Sequence, residues 1–247
     1  MRPVFKTFLK VAILLCVAAY FVFALTTINR SDEEQACNGL NIVVNDNQHT
    51  NFVNENEIRE LLVKKNLFPE GKALKDIDLA KLESVLVASP YIEQALCYAT
   101  SEGQVTLQVT PRIPILHVLN AAGEDFYIDD HGGTMPRGHH IIDLIVMTGY
   151  VNRATAGPLY SPLARTLISD PYWSEQIQEV HVDASGEISL TPRVGDHIIL
   201  LGDTSKINDK LSRMRTFQSE GLDKAGWNIY KTISVKYANQ VIATKKE

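Results

Sequence analysis

The feature that most constrains this chain is an uncharged stretch of 18 residues near its start, Val11–Ile28. As an α-helix it would measure roughly 27 Å, which is close to the thickness of the hydrocarbon core of a bilayer. Three basic residues precede this stretch, and three consecutive acidic residues follow it shortly after. The positive-inside rule therefore predicts a transmembrane helix over 11–28, with a cytoplasmic tail of residues 1–10 and the bulk of the chain across the membrane.

A cleaved signal peptide is the competing interpretation of this stretch. A signal peptide has a shorter apolar region, followed by a cleavage site with the small-x-small pattern. No such pattern follows Leu25, and Cys16 is preceded by Leu15 in mid-span, which argues against a lipoprotein site. The sequence therefore favours an uncleaved anchor that holds the protein in the bilayer through one helix.

The part of the chain beyond residue 30 is acidic. It carries 20 basic and 29 acidic residues, a net charge of −9, because four of the basic residues lie in the first 30 positions. A face that binds nucleic-acid phosphates must be basic, so this charge argues against a nucleic acid as partner. The hydrophobic content of 45% and charged content of 21% are typical of a folded protein.

After a polar tether over 29–39, residues 40–110 have the pattern of a small two-layer domain. A strand over Leu40–Val44 is followed by a helix that Asn54 caps with Glu57 three residues on. A second helix begins near Asp76 or Asp78, and two alternating strands follow over 92–99 and 105–110. The order strand, helix, helix, strand, strand predicts two helices that cover one face of a sheet.

Residues 111–247 have a different pattern, dominated by short strands, and predict a curved, mostly antiparallel β domain with two helices. The whole chain is therefore expected to be an α+β protein with an N-terminal transmembrane helix. The main predicted elements of this part are a hairpin of Ile115–Leu119 and Asp125–Ile128 closed near Gly123, a helix starting at Ser161-Pro162, strands over Ile177–Val182, Ile188–Leu190 and His197–Leu201, a helix over Ser205–Glu220, and strands over Ile229–Tyr237 and Gln240–Thr244.

The candidates for catalysis or metal binding have simpler structural explanations. His139 and His140 lie near Asp143, but adjacent side chains in a strand point to opposite faces and rarely hold one ion. Asp129 lies in an Asp-Gly-rich turn, where such residues serve the backbone conformation. The sequence thus predicts no catalytic set, no metal site and no cofactor.

Two of the three cysteines, Cys37 and Cys97, lie in the part of the chain predicted to be exported. Disulfides persist in such compartments, so a Cys37–Cys97 bridge is one interpretation. Two separate thiols, one of them packed in a strand, are the other. The spacing does not decide between them.

An exported chain without visible chemistry is typical of a binding or scaffolding protein. A β-rich domain that ends in an apolar, aromatic strand offers a mechanism, because a free sheet edge can accept a strand from a partner. Tyr237 is the expected anchor at that edge, since tyrosine combines a large contact area with a polar tip.

Together the anchor and the strand-helix-helix-strand-strand unit resemble a POTRA domain, and the continuation resembles the β domain of the bacterial cell-division FtsQ/DivIB family. Ser234 and Lys236 depart from the commoner Asp and Arg of the last motif of that family. The resemblance is carried by Ser89-Pro90-Tyr91-Ile92, Pro111-Arg112-Ile113-Pro114, Tyr127-Ile128-Asp129 followed by Gly132 and Gly133, Leu200-Leu201-Gly202, and the terminal segment from Ile233 to Val241.

This resemblance implies a non-enzymatic scaffold of the divisome in the inner (plasma) membrane, concentrated at the division septum. Its implied partners are small bitopic proteins like FtsB and FtsL, whose strand would add beside the last strand of the β domain and help control septal peptidoglycan synthesis. The expected partner-binding residues are Ile233, Val235, Lys236, Tyr237, Ala238, Asn239 and Val241.

Three other functions remain open at this point. The chain could be a cell-envelope hydrolase or metalloenzyme that uses His139, His140 or Asp129. It could be an envelope assembly factor, since POTRA domains also occur there, although no barrel-like segment follows. It could also be a purely structural protein linked to the cell wall.

Overall fold

The computed structural model describes residues 12–24, 35–45, 53–138 and 142–247. The predicted tail 1–10, both ends of the predicted span 11–28, residues 29–34 of the tether, and His139 and His140 lie outside the described residues. The described residues of the chain divide into two compact units. Unit 1 contains those up to Pro111, and unit 2 contains those from Arg112 on.

Residues 12–24 form a helix, α1, whose side chains are mostly exposed. Within the described parts of the chain, no helix combines the length and the apolar character needed to cross a membrane. The predicted span Val11–Ile28 extends beyond α1 at both ends.

Unit 1 is a three-stranded sheet with two helices, in the predicted βααββ order. The sheet order is β1-β3-β2, with β1 parallel and β2 antiparallel to the central strand. A short 3-10 helix, Leu74–Asp76, precedes the second helix. The elements are β1 (Gly39–Val44), α2 (Glu55–Lys64), α3 (Leu79–Val87), β2 (Ile92–Ala99) and β3 (Gln104–Pro111).

The two helices of unit 1 begin where the sequence places their caps. The side chain of Asn54 accepts the backbone N–H of Glu57, and the Glu57 side chain returns to the Asn54 backbone, which completes a capping box. Asp78 caps α3 in the same way through the N–H of Lys81. Each cap orients an apolar stripe onto the sheet, and Leu62 and Leu86 are fully buried there.

Unit 2 is a nine-stranded sheet with helices packed on its core side. A π-helical turn, Gln218–Leu222, joins its last two helices. The elements are β4 (Pro114–Asn120), β5 (Asp125–Asp129), β6 (Thr134–Pro136), β7 (Val146–Gly149), α4 (Arg153–Ser169), α5 (Pro171–Gln176), β8 (Ile177–Val182), β9 (Ile188–Pro192), β10 (Ile198–Gly202), α6 (Ile207–Phe217), α7 (Asp223–Ala225), β11 (Tyr230–Ser234) and β12 (Ile242–Lys245).

The strand order of this sheet is β12-β11-β10-β9-β8-β7-β4-β5-β6. Five of its eight strand pairs are antiparallel, as the sequence predicts, and the pairs β10–β11, β4–β7 and β7–β8 are parallel. The β4–β5 hairpin turns at Gly123, whose positive φ of 81° suits a residue without a side chain.

The prediction that a helix begins at Ser161-Pro162 is wrong. The helix α4 begins eight residues earlier at Arg153, where the Asn152 side chain accepts the N–H of Ala154. It then continues through two prolines, although an interior proline costs about 3 kcal/mol. The buried stripe of this helix runs from Ala156 to Leu167, past both prolines, and its burial offsets that cost.

Candidate partner-binding edge

The outermost strand of the unit 2 sheet is β12, which pairs antiparallel with β11. Ile233 lies opposite Ala243, and Ser234 lies opposite Ile242. Among the described residues no strand pairs with the other side of β12. This side is therefore an open edge of the sheet.

The backbone direction along β12 follows from one hydrogen bond just beyond it. The N–H of Lys246 donates to the carbonyl of Ile229 at 3.0 Å, so even-numbered residues face β11. Antiparallel strands alternate the direction of their backbone groups, so those of Ala243 and Lys245 point to the open side. Ile242 adds a side chain that is 47% exposed.

The first of the two predicted terminal strands, Ile229–Tyr237, is shorter than predicted. The strand β11 ends at Ser234, and the chain then forms a loop that reverses at Asn239, which has a positive φ of 60°. Asparagine tolerates this left-handed conformation better than most residues. The Nη2 group of Arg213 donates to the carbonyls of Val235 and Tyr237, at 2.8 and 3.2 Å, and removes them from strand pairing.

The predicted partner-binding residues therefore fall into two groups. Ile233 and Val235 are completely buried in the unit 2 core, and Val241 packs against that core. Tyr237 is 54% exposed, and it lies in the loop rather than in the strand predicted over Ile229–Tyr237. Ala238 and Asn239 are also exposed in this loop.

Lys236 fixes the loop to a distant turn of unit 2. Its ammonium group pairs with the carboxylate of Glu187, which precedes β9. This hydrogen bond raises the pKa of Lys236. The pair holds the loop at the residue just before Tyr237.

A cleft of about 450 Å³ lies between α6 and the loop. Phe217 and Val241 give it apolar walls, and Arg213 and Glu220 supply charge of both signs. No motif of the sequence indicates this cleft. The spacing of Arg213 and Phe217, four residues apart on one helix, was the available sign that both face the same way. The remaining lining residues are Ser212, Thr216, Gly221, Asn239 and Gln240.

The opposite edge of the same sheet, β6, is a poor template for pairing. It has three residues and ends at Pro136, which has no N–H to donate. Arg112 also donates from Nη1 to the carbonyl of Thr134 at 3.4 Å. Proline and charged side chains are the usual means by which an edge strand avoids pairing.

The Asp-Gly-rich turn that contains Asp129 is held by several hydrogen bonds. Asp129 is buried and pairs with Arg112, with Nε at 2.7 Å and Nη2 at 2.6 Å from Oδ2. Its Oδ1 accepts the N–H groups of His131 and Gly133, which close the turn. Asp143 is exposed, and the described residues contain no group of three ligands able to hold a metal ion.

Cys37 and Cys97 are separate buried thiols. Burial, and secondarily the neighbouring Glu83 carboxylate, raises the pKa of the Cys97 thiol to about 12. A thiol with so high a pKa is not an activated nucleophile at neutral pH.

Two family models match the chain, one for each unit. A model described as POTRA-like domain matches residues 35–110, and a model described as FtsQ/DivIB, C-terminal related, matches residues 113–244. The second match covers more than half of the chain. The chain belongs to the FtsQ/DivIB family. A comparison with curated proteins finds no match.

This membership confirms the resemblance found in the sequence. The two matches support a role in cell division as a scaffold, which interacts with other division proteins.

Proposed function

We propose that the chain is a non-enzymatic scaffold of the divisome that binds a strand of an FtsB- or FtsL-like partner beside β12. The observation that carries the proposal is the open side of β12 at the end of a nine-stranded sheet. A partner strand there would pair with the backbone groups of Ala243 and Lys245, in the manner of other strand-addition complexes. Through such binding the protein would help control septal peptidoglycan synthesis.

The exposed loop before β12 would give this contact its specificity. Backbone hydrogen bonds between strands do not distinguish one side chain from another. A specific partner is therefore recognised through pockets and exposed side chains next to the edge. Tyr237 is exposed immediately before the edge, with Ala238 and Asn239 beside it. The fully buried Ile233 and Val235 would support the edge from the core rather than touch the partner.

The proposed location is the inner membrane at the division septum, with residues 1–10 in the cytoplasm and 31–247 outside it. The uncharged stretch 11–28 with basic residues only before it supports this topology. Protease added to spheroplasts should digest the exported part. Protection of that part in intact spheroplasts, or a mature chain that begins near residue 30, would contradict the proposal.

The edge is tested most directly by proline at Ala243. Its N–H points to the open side, so proline there removes a donor for the partner and no bond within the sheet. We expect Ala243→Pro to weaken capture of an FtsB-like partner at least tenfold while the melting temperature changes little.

Ala243→Val is the matched control, because valine keeps the N–H and favours strands. It should bind like the unmodified protein. Unchanged binding by a folded Ala243→Pro variant would show that the partner adds elsewhere. Loss of binding in both variants would show that the side chain, rather than the backbone, carries the contact.

A further inference from the structure

The three-stranded sheet of unit 1 has two outer strands, β1 and β2. They contain six and eight residues, and both are longer than the four-residue β12. Long outer strands are templates for pairing with any other strand, because half of their backbone groups point away from the sheet. Val43 on β1 and Leu96 on β2 also expose apolar side chains.

On β1, both outward backbone groups of Leu40 are bound by side chains. A carboxylate oxygen of Glu70 accepts the Leu40 N–H at 3.1 Å, and Nη2 of Arg59 donates to the Leu40 carbonyl at 3.1 Å. Arg59 is held in place by Glu55, one turn earlier on α2, through two hydrogen bonds of 3.0 and 2.8 Å. The side chains thus make the two hydrogen bonds that an added strand would make to Leu40.

On β2, a side chain from the covering helix reaches the strand edge in the same way. A carboxylate oxygen of Glu83, on α3, accepts the N–H of Cys97 at 2.8 Å. The Thr100 N–H donates to the Gln104 carbonyl at 2.8 Å in the same register, so the even-numbered residues of β2 face β3 and the N–H of Cys97 points away from β3. A hydrogen bond to a carboxylate is stronger than one to a neutral carbonyl, so a competing strand must displace a strong acceptor.

We propose that Arg59, Glu70 and Glu83 are edge caps that prevent the unit 1 sheet from pairing with a second copy of this chain. A second copy is the occupant that the caps must exclude, because it carries the same long strands and is always present at the same concentration. The caps thereby confine strand addition to unit 2. This inference concerns unit 1 alone and does not depend on the identity of the partner at β12.

Hydrogen exchange of single amides tests whether the caps are formed. In the full 247-residue chain, Glu83→Ala should speed exchange of the Cys97 amide on the order of tenfold or more, because the carboxylate that accepts its hydrogen bond is lost. Glu83→Gln keeps an amide oxygen as acceptor and should restore most of the protection. The amide of Leu107 in the central strand should stay protected in both variants, which distinguishes a local change from unfolding.

Glu70→Ala and Glu70→Gln make the same comparison at the Leu40 amide. Equal exchange rates for the alanine and glutamine variants, at rates no faster than those of the unmodified chain, would overturn the assignment of a cap at that strand.

Sedimentation over a range of concentrations then tests the purpose of the caps. The combined Arg59→Ala, Glu70→Ala and Glu83→Ala variant should form dimers or larger species at concentrations where the unmodified chain is monomeric. Glu60→Ala, on the exposed side of α2, removes a charge without touching an edge and should behave like the unmodified chain.

A combined variant that keeps Leu107 protected yet stays monomeric would overturn the proposed exclusion of a second copy. If the combined variant unfolds, the single alanine variants replace it in the same experiment. The test uses no division partner, so its failure is separate from a failure of the binding proposed at β12.

Discussion

Replacing Asp129 with alanine should destabilise unit 2, because its carboxylate is buried and every oxygen is used. Only 5% of the side chain is exposed. Oδ2 accepts from Arg112, and Oδ1 accepts the N–H groups of His131 at 3.0 Å and Gly133 at 2.5 Å. The substitution therefore removes the carboxylate partner of the Arg112 guanidinium and the acceptor of two backbone N–H groups.

The magnitude follows from the burial of the pair. Removing one member of a buried ion pair costs about 3–5 kcal/mol. Arg112 keeps 19% of its side chain exposed, so partial hydration should place the cost near the lower limit, at about 3 kcal/mol. Asp129→Asn keeps an oxygen for the two backbone donors but removes the charge that faces Arg112, so we expect roughly half of this loss.

Urea unfolding followed by tryptophan fluorescence measures these changes. Both tryptophans, Trp173 and Trp227, belong to unit 2, so the signal reports on that unit. With a slope of about 2 kcal/mol per molar urea, a loss of 3 kcal/mol lowers the midpoint by about 1.5 M. Asp130→Ala is the control, because that carboxylate pairs with the exposed ring of His131, and its removal should change stability by less than about 0.5 kcal/mol.

A midpoint shift for Asp129→Ala no larger than that of Asp130→Ala would refute the reasoning. It would mean that the Arg112–Asp129 pair contributes no net stability and that the turn closes without its carboxylate. An equal shift for Asp129→Ala and Asp129→Asn would instead assign the whole effect to the charge.

Two further predictions concern Tyr237 in the loop before β12 and the response of stability to pH. Tyr237→Ala should weaken capture of an FtsB-like partner about thirtyfold, or about 2 kcal/mol, with little change in melting temperature, because the ring is exposed; unfolding of the variant would instead identify a core residue. Burial is the main cause of the lowered pKa of His197, and a backbone hydrogen bond at Trp227 acts in the opposite direction. Neutral His197 therefore stabilises the folded state fully above the pKa of an unfolded histidine, about 6.5. As the pH falls below that pKa, the free energy of unfolding decreases, by up to about 1.4 kcal/mol at pH 5.5. Calorimetry at pH 7.5 and 5.5 should show that acidification destabilises His197→Phe less than the unmodified chain. His131→Ala, at an exposed position, should be destabilised as much as the unmodified chain.

Much of unit 1 can be predicted from the sequence because capping residues and apolar alternation mark where its helices and strands begin and end. Asn54 with Glu57 fixes the start of one helix, and Asp78 fixes the start of the next. The alternation of Val105, Leu107 and Val109 marks the central strand, and all three side chains are fully buried. In such a unit, propensity, capping and apolar period all agree, so sequence reasoning succeeds.

Unit 2 was less predictable because tertiary packing overrides local preference there. The strands β6 and β7 have only three and four residues, too few to show alternation. Pro162 is typical of the first turn of a helix, yet α4 continues through it because the helix buries one face on both sides of this residue. The alternation of apolar and polar residues around Tyr237 predicts a strand. The structure has a loop there, because Arg213, 22 residues before Val235, donates hydrogen bonds to the backbone carbonyls that strand pairing would require.

The position of the open edge could not be predicted from alternation at all. Alternation shows which side chains of a strand face the core, but it does not show which strands are its neighbours. The edge arises because β11 pairs parallel with β10, which requires the long connection through α6, and β12 then folds back on the outside. The chain order of the strands thus leaves the final strand at the rim of the sheet.

The size of this edge also limits what strand addition alone can achieve. The outward groups of Ala243 and Lys245 provide at most four backbone hydrogen bonds, each worth about 0.5–1.5 kcal/mol net, or roughly 2–6 kcal/mol in total. Association of two proteins costs on the order of 4–15 kcal/mol in lost freedom, so at the middle of both ranges these bonds do not hold a partner by themselves. The remaining free energy must come from side chains near the edge, and the exposed Tyr237 and the cleft beside Phe217 are the surfaces placed to provide it. Proline at Ala243 and alanine at Tyr237 should therefore each weaken binding severely, because neither contact suffices without the other.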